Sequence, residues 1–466
     1  MYNNKLHFHF VGIGGSGMSG LAEILLDHGY RVSGSDLNVL GCERLVRLGA
    51  RVSSGHHADN IPDDASLLVY SSAVSGDNPE VQEARRRGLP IVRRAEVLAE
   101  LMRLKFGVGV AGSHGKTTTT SMTAAVMEAG GLDPTVVIGG QVKSLGSGGK
   151  LGAGDYLVAE TDESDRSFLL LKPTVAVLTN VDGEHLSAYE SLSELEASFE
   201  QFIASVPFYG LAVLCIDDPK VKAFASHYTG RKITYGLSSE AQLCARDLLH
   251  DRGSTSFKVF LAGEFLIEVT LPLPGRHMVQ NSLAAIAVGL EFDIAPDVIR
   301  GALQEFEGVK RRLELVGEAA GVTVMNDYGH HPAEIRATIK AVRDGWGASI
   351  GKLLVVFQPH RYSRTRDCFQ EFLSAFEDAD SLIVTEIYPA SEEPIEGISG
   401  ESLYSAVKHD NKLFAATLNE AAGLLTEQVE QGDMILCLGA GSIGALPEQL
   451  LDLLHGGGEA KAANEA

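Results

Sequence analysis

A glycine-rich turn, followed by a basic residue and a run of hydroxyls, interrupts an apolar stretch of this chain. The stretch reads Val108-Gly-Val-Ala-Gly-Ser-His-Gly-Lys-Thr-Thr-Thr-Thr120. Gly112 and Gly115 allow backbone N–H groups to point into a concave anion site. Lys116 supplies a positive charge for terminal phosphates, and the hydroxyl of Thr117 suits an accompanying magnesium ion. The stretch therefore predicts a nucleotide phosphate loop.

The loop departs from the strict phosphate-loop motif at one position. That motif has glycine at position 110, where this chain has Val110. An ordinary helix start with a Gly-Lys-Thr turn is the alternative interpretation. The strand pattern before the loop favours the nucleotide, and a helix over about Thr118 to Ala129 would direct its positive end toward phosphates.

A second glycine-rich loop lies near the amino terminus. An apolar run from Leu6 to Val11 enters Gly12-Ile-Gly-Gly-Ser-Gly17, and a strand at Tyr30 to Gly34 ends near Asp36. GxGxxG with an acid about twenty residues later is typical of a Rossmann dinucleotide site, which would indicate NAD. The same loop holds any diphosphate, and Gly439-Ala-Gly-Ser-Ile-Gly444 matches the pattern too. Nicotinamide and another diphosphate ligand both remain open.

Two strands after the phosphate loop end in side chains of types that can bind metal ions. The strand Tyr156-Leu-Val-Ala-Glu160 would bring Glu160 within reach of a magnesium ion held by Thr117. A solvated acidic loop is the alternative. The second strand ends in a polar group made of Asn180, Asp182, Glu184 and His185. His185 is either a metal ligand or a structural histidine.

The last third of the chain alternates strand and helix patterns. Its strands are expected at Val322 to Asn326, Leu353 to Gln358, Leu382 to Ile387 and Met434 to Leu438. This alternation predicts a second doubly wound parallel sheet. Arginines and histidines follow two of these strands, in Asn326 to Pro332 and Gln358 to Arg366. They predict a site for a carboxylate or phosphate, with a basic surface loop as the alternative.

Composition and length exclude several classes of function. A formal net charge of −22 argues against general nucleic-acid or anionic-membrane binding, because both need cationic surface. Five scattered cysteines favour reduced thiols. Signal-peptide and membrane-spanning patterns are absent, so we expect a cytoplasmic protein. We expect domains at residues 1–105, 106–310 and 311–454, with 455–466 as a disordered tail.

These α/β units, the middle one with a phosphate loop, resemble the Mur ligases, the family that builds the peptide stem of bacterial cell-wall precursors. The resemblance is carried by His9–Met18, Gly112–Thr117, Ala159–Asp165, Asn326–Pro332 and Phe357–Tyr362. They are most similar to the member that adds L-alanine to UDP-N-acetylmuramate. The resemblance implies a Rossmann-like UDP-binding domain, a central P-loop ATPase-like domain and a C-terminal Rossmann-like domain.

The resemblance implies a ligand site for each substrate. UDP-sugar residues would be Gly12, Gly14, Gly15, Ser16, Gly17, Met18, Asp36, His57, Ser71 and Ser72. ATP residues would be Gly112, Ser113, His114, Gly115, Lys116, Thr117, Thr118, Asn281, Arg312 and Asp327. L-alanine residues would be Tyr328, His330, His360, Arg361 and Arg364. Two magnesium ions are expected, with the protein ligands Thr117, Glu160 and His185, and the catalytic residues would be Lys116, Glu160, His185 and His330.

The implied reaction is ATP-driven amide formation. The muramyl carboxylate is phosphorylated to an acyl phosphate, which the L-alanine amine then attacks. The chain departs from the family pattern at Met278, where asparagine is usual. Residues 187–201 contain no lysine, so no carbamylated lysine is expected there. A ligase that attaches an intact tripeptide during wall recycling is one alternative, and a non-catalytic or NAD-binding protein on the same folds is another. The chain is expected to be a monomer or homodimer.

Overall fold

A computed structural model describes residues 6–71, 74–139, 149–183, 188–390 and 392–464 of the chain. The chain forms two compact units. The first unit consists of residues 1–247, 257–270 and 279–309, and the second of residues 248–256, 271–278 and 310–466. Within the described ranges, no helix combines the length and the apolar character needed to cross a membrane.

The first unit begins with a five-stranded parallel sheet in the order β3-β2-β1-β4-β5. Its strands are His7–Val11 (β1), Arg31–Asp36 (β2), Arg51–Ser54 (β3), Leu67–Tyr70 (β4) and Ile91–Arg93 (β5). The accompanying helices are Ser16–Asp27 (α1), Glu43–Arg47 (α2), Pro79–Arg87 (α3) and Arg94–Met102 (α4). The strand order reverses between β1 and β4, and ligands of open α/β sheets bind at such a point, outside the carboxyl ends of the strands.

A ten-stranded sheet follows in the order β15-β14-β13-β12-β11-β10-β6-β9-β7-β8. Its strands are Phe106–Ala111 (β6), Thr135–Val137 (β7), Gly149–Lys150 (β8), Tyr156–Glu160 (β9), Val175–Leu178 (β10), Leu211–Cys215 (β11), Lys232–Gly236 (β12), Leu243–Asp251 (β13), Ser254–Leu261 (β14) and Glu264–Leu271 (β15). Its helices are Lys116–Ala129 (α5), Leu192–Ala204 (α6), Pro219–His227 (α7), Arg276–Glu291 (α8) and Pro296–Gln304 (α9). Strands β9 and β10 flank β6 and run parallel to it, so their carboxyl ends lie beside the phosphate loop.

The second unit contains a six-stranded sheet in the order β16-β17-β21-β18-β19-β20. Its strands are Glu314–Ala319 (β16), Val322–Asp327 (β17), Leu353–Phe357 (β18), Ser381–Thr385 (β19), Lys412–Ala415 (β20) and Met434–Leu438 (β21). The helices are Pro332–Trp346 (α10), Tyr362–Asp367 (α11), Phe369–Phe372 (α12), Gly400–Ala406 (α13), Leu418–Gln428 (α14) and Leu446–Asn464 (α15). Only the edge strand β16 is antiparallel among the pairings of this described sheet.

The predicted α/β fold class, with its three parallel-rich sheets, is confirmed. The alternating pattern from Phe257 to Leu271 forms two strands, β14 and β15, because Ala262 and Gly263 adopt positive φ angles of 50° and 88° and make a turn. Helix α15 extends to Asn464, and the disorder expected for residues 455–466 stays a prediction.

Candidate functional site

The phosphate loop leaves β6 at Ala111 and enters helix α5 at Lys116. Gly112 and Gly115 have φ angles of 129° and 82°, a region in which residues with a Cβ are strained. A Cβ at Gly112 would lie 2.1 Å from Thr179 Oγ1, and one at Gly115 would lie 2.7 Å from Asn281 Oδ1. Backbone angle therefore favours glycine at both positions, and at Gly112 the lack of space requires it as well. Asn281, predicted for the nucleotide site, lies directly against the loop.

Side chains at the end of β10 hold the loop from one side. Thr179 Oγ1 donates to the carbonyl of His114 at 2.7 Å, and Asn180 Oδ1 accepts from the His114 N–H at 2.8 Å. The N–H of Asp182 donates to Ser113 Oγ at 2.8 Å, and an Asp182 carboxylate oxygen lies 3.2 Å from His114 Nε2. These contacts fix the loop backbone whose N–H groups would receive phosphates. Glu184 and His185 lie outside the described residues, so the metal role predicted for His185 stays a prediction.

Thr117 and Glu160 meet as the sequence predicted. Thr117 Oγ1 lies 3.0 and 3.1 Å from the two carboxylate oxygens of Glu160, which also accept a hydrogen bond from the Gly139 N–H at 2.7 Å. A hydroxyl and a carboxylate at adjoining strand ends form an oxygen donor set, the type that Mg²⁺ prefers. The residues present therefore fit a magnesium ion. Thr118, in the next position of α5, is buried.

Lys116 makes a contact that the sequence did not predict. Its Nζ donates to the carbonyls of Gly112 and Ser113 at 2.6 and 3.0 Å and to Glu163 at 2.9 Å. The side chain of Glu163 is only 1% exposed, and desolvation by burial raises its pKa to about 7, against the opposing charge of Lys116. Burial alone would lower the pKa of Lys116, but Glu163 and neighbouring carboxylates raise it. Lys116 therefore stays positively charged beside the loop, and its partner Glu163 has a pKa close to neutral.

The amino-terminal glycine loop lies at the carboxyl end of β1. Gly12 has a φ of 80°, and the N–H of Gly14 donates to Asp36 Oδ2 at 2.8 Å. A Cβ at Gly14 would lie only 3.0 Å from that oxygen. Helix α1 begins directly after Gly15, so its N-terminus adjoins the loop, as a diphosphate site requires. Met18 is buried beneath the loop.

The other predicted UDP-sugar residues lie along the same edge of this sheet. The N–H of Gly55 donates to the Asp36 carbonyl at 2.8 Å and thereby joins the segment that contains His57 to the end of β2. Ser71 directly follows β4, the neighbour of β1. A Cβ at Gly17 would lie 3.3 Å from the guanidinium of Arg94. Ser72 lies outside the described residues.

In the second unit, two arginines flank one aromatic ring. The guanidinium carbons of Arg311 and Arg312 lie 4.9 and 5.2 Å from the centroid of the Tyr328 ring, a cation–π geometry. Asp327, at the end of β17, accepts hydrogen bonds from the N–H groups of Leu313 and Gly329, both at 2.7 Å. Desolvation by burial raises the pKa of Asp327 despite the nearby Arg312. Arg312, Asp327 and Tyr328, all predicted site residues, therefore lie together.

The predicted L-alanine residues form a second cluster of rings and guanidiniums beside Tyr328. The His330 ring lies 5.4 Å from the Tyr328 ring and 6.0 Å from the His360 ring. Arg364 Nη1 lies 3.2 Å from His360 Nδ1. Arg361 has a strained φ of 70°, and its guanidinium lies 3.5 Å from Glu392. Backbone strain of this kind collects at functional sites.

Tyr388 and Glu392, which the sequence did not single out, complete this cluster. The Tyr388 ring stacks on His360 with centroids 5.6 Å apart, and its carbonyl accepts from the Arg361 N–H at 2.8 Å. Glu392 accepts from the N–H and the hydroxyl of Ser363 at 2.9 and 2.6 Å. Both residues come from the segment after β19, in which no motif marked them.

We expect acid to destabilise the protein through these histidines. Burial lowers the pKa of His330 well below 6.5, and burial with the nearby Arg364 lowers that of His360 to about 4. Below pH 6.5 these histidines therefore bind more protons in the unfolded chain than in the folded chain, and their contribution to the free energy of unfolding falls as pH falls toward 4. Urea unfolding at pH 7 and pH 5 measures this loss. His360→Asn should reduce the difference, whereas His227→Asn, at an exposed histidine, should not.

Comparison with known proteins shows the family to which the chain belongs. Three family models match the chain: "Mur ligase family, catalytic domain" over residues 7–106, "Mur ligase middle domain" over 110–289 and "Mur ligase, glutamate ligase domain" over 311–441. Together the three matches cover most of the sequence and follow one another along the chain. The chain belongs to the Mur ligase family, whose members depend on ATP.

Particular members of the family match almost the whole chain. The UDP-N-acetylmuramate–L-alanine ligase of Geotalea daltonii is 49% identical over 459 residues, which cover 98% of this chain and 99% of that protein. The crystal structure of the UDP-N-acetylmuramate-alanine ligase of Thermotoga maritima has a TM-score of 0.84 at 29% identity and covers 97% of this chain and 100% of that one. A murein peptide ligase of Psychrobacter arcticus has a TM-score of 0.71 at 21% identity, covers 97% and 99% of the two chains, and shares the fold.

Proposed function

We propose that this chain is an ATP-dependent ligase that joins L-alanine to the lactyl carboxylate of UDP-N-acetylmuramate. The observation that carries the proposal is the 49% identity to an L-alanine ligase over 98% of the chain. The geometry of the phosphate loop supports it, because Lys116, Thr117 and Glu160 stand where a nucleotide and a metal would need them. The activity contributes to the synthesis of peptidoglycan precursors.

A carboxylate does not react with an amine at neutral pH, so the acid must first be activated. Transfer of the γ-phosphate of ATP to the muramyl carboxylate forms an acyl phosphate and releases ADP. Attack by the uncharged L-alanine amine on the acyl carbon then forms the amide, and inorganic phosphate leaves. Bringing an anionic acid to an anionic triphosphate requires neutralisation of charge, which Lys116 and the loop N–H groups supply.

Magnesium would be held by Thr117 and Glu160, with His185 as a further ligand, and two ions are expected. Bound magnesium would neutralise phosphate charge. Lys116 pairs with Glu163, and because burial raises the pKa of Glu163 to about 7, that acid would become neutral readily if Lys116 turned to bound phosphates. Asn281, against Gly115, would contact the adenine, and the roles of Arg312 and Asp327 in ATP binding stay predictions.

The UDP-sugar would bind at the first glycine loop. The loop N–H groups and the N-terminus of α1 would receive the diphosphate, with Asp36, His57 and Ser71 along the ligand. A nicotinamide dinucleotide would use the same loop, so titration of the protein with NAD and with UDP-N-acetylmuramate separates the two interpretations. We expect heat of binding for the muramyl nucleotide alone.

Substrate choice is tested by phosphate release in the presence of ATP, magnesium and UDP-N-acetylmuramate. We expect release to depend on L-alanine and to be absent with an intact tripeptide in its place. Release that depends on the tripeptide alone would instead assign the chain to wall recycling. The L-alanine ligase of Geotalea daltonii is 49% identical to this chain, whereas the murein peptide ligase of Psychrobacter arcticus is 21% identical, so the tripeptide is the weaker candidate.

Arg361 would bind the carboxylate of L-alanine. Replacing it by alanine removes a charged donor from the cluster around His360, so KM for L-alanine should rise by about tenfold or more. Arg366→Ala is a matched control, because Arg366 lies on α11, which begins directly after Arg361, and its exposed side chain pairs with Asp367. Steady-state assays with varied L-alanine measure both. An unchanged KM in Arg361→Ala would remove this residue from the pocket.

A further inference from the structure

A fully buried carboxylate lies under the carboxyl edge of the amino-terminal sheet. The side chains of Glu80, in the first turn of α3, and His9, in β1, are both 0% exposed. His9 Nε2 and Glu80 Oε2 are 2.8 Å apart. A carboxylate in such a place is costly unless hydrogen bonds replace its water. The hydrogen-bond partners of Glu80 therefore indicate the role of its carboxylate.

The four partners of Glu80 come from three separate segments. Oε2 meets His9 Nε2 and accepts from Ser35 Oγ at 2.9 Å. Oε1 accepts from Asn60 Nδ2 at 2.9 Å and from the backbone N–H of His57 at 3.1 Å. One side chain therefore ties β1, the end of β2 and the segment around His57 to the start of α3.

Hydrogen bonding keeps this carboxylate ionised. Burial acts to raise the pKa of Glu80, but the hydrogen bonds from His9, Asn60 and Ser35 outweigh it and leave the pKa below its ordinary value. The ionised acid offers acceptors on both oxygens, which suits donors on two sides. A neutral side chain of the same shape cannot accept on both.

The segment around His57 depends on Glu80 more than the sheet does. Strands β1, β2 and β3 are joined by their own parallel backbone ladders. Between Gly55 and Ile61 the chain forms only a short 3-10 turn at Ala58–Asn60. Two of the four hydrogen bonds to Glu80 hold that segment. Loss of the carboxylate would therefore release the segment and leave the sheet in place.

We propose that Glu80 is a positioning residue for the sugar nucleotide. Its carboxylate fixes the backbone at His57, and through Ser35 the end of β2 beside Asp36, so that both are in place before the ligand binds. Preorganisation of this kind lowers the entropic cost of binding. The inference rests on the proposed function, which places the UDP-sugar at this edge of the sheet.

Glu80→Gln is the direct test. The substitution keeps the shape but turns one carboxylate oxygen into an N–H₂ donor that faces donors, so the segment around His57 loses contacts. We expect KM for UDP-N-acetylmuramate to rise by about tenfold, as for one lost hydrogen bond to a charged group. KM for ATP, KM for L-alanine and kcat should each change less than about twofold, because those groups bind elsewhere. Glu100→Gln, at an exposed acid of α4, is the control and should match the wild type.

Asn60→Ala provides a second variant that leaves the acid with its other partners. It should also raise KM for the muramyl nucleotide, but by a smaller factor than Glu80→Gln. This variant tests the inference even if Glu80→Gln does not fold. An unchanged KM for that substrate in folded variants would overturn the inference. A parallel loss of every kinetic parameter that tracks the folded fraction would overturn it too, because that is a structural role. Wild-type protein that fails to turn over the muramyl nucleotide would contradict the proposed function itself, and this inference with it.

Discussion

Replacing Lys116 by alanine is expected to abolish ATP-driven turnover while leaving UDP-N-acetylmuramate binding intact. Lys116 is the charged side chain that reaches the carbonyls of Gly112 and Ser113 inside the loop. Loss of a charge that stabilises the transferring phosphate should lower kcat by about 10³-fold. The glycine loop at Gly14 and Asp36 belongs to a different sheet. Calorimetry with each ligand and an ADP-release assay measure the two effects separately.

The substitution also leaves Glu163 buried without its cation. Removing the partner of a buried acid lowers stability, so the loss of activity must be separated from unfolding. The double variant Lys116→Ala, Glu163→Gln removes both charges and should recover thermal stability without recovering turnover. Activity in the double variant would contradict the role of Lys116. Loss of both ligands from a variant that remains folded would contradict the separation of the two sites.

Glu160→Gln is expected to weaken the response to magnesium. The amide retains an oxygen and the size of the side chain, but it carries no charge toward the cation beside Thr117. We expect kcat at low millimolar magnesium to fall by about a hundredfold and to recover in part as magnesium is raised. A magnesium titration of turnover measures both the decrease and the shift of the midpoint.

Glu128→Gln is the matched control for this variant. Glu128 lies on helix α5 behind the phosphate loop, and its exposed carboxylate pairs with Lys150. Its magnesium response should equal that of the wild type. A Glu160→Gln enzyme with an unshifted midpoint would show that this carboxylate is not a metal ligand. The hydrogen bond to Gly139 would then be its main role.

Sequence patterns predicted which residues of the candidate phosphate site lie close together, because parallel sheets impose a simple geometry. The carboxyl ends of the parallel strands β6 and β9 lie at the same edge of the sheet. The sequence alone therefore predicted that Thr117 and Glu160 lie close together. Glycine requirements were equally local, since Gly112 and Gly115 occupy positions where a Cβ has no space. The family resemblance singled out Asn281, whose side chain lies against Gly115, and its contact with adenine stays a prediction.

Other features depend on the path of the chain between elements, which periodicity does not describe. Glu163 follows Glu160 in a run of acids, and nothing in the run shows which acid turns inward to Lys116. Strand β16 was missed because a short edge strand next to a turn carries no long apolar run. Tyr388 reaches His360 from a segment far along the chain, so only the tertiary fold brings the two rings together.

The central claim is that the phosphate loop activates the muramyl carboxylate by phosphorylating it. The most direct measurement supplies UDP-N-acetylmuramate labelled with ¹⁸O in the lactyl carboxylate, together with ATP, magnesium and L-alanine, and analyses the released phosphate by mass spectrometry. The account predicts that each inorganic phosphate carries one carboxylate-derived ¹⁸O. Unlabelled phosphate accompanied by amide product would contradict it.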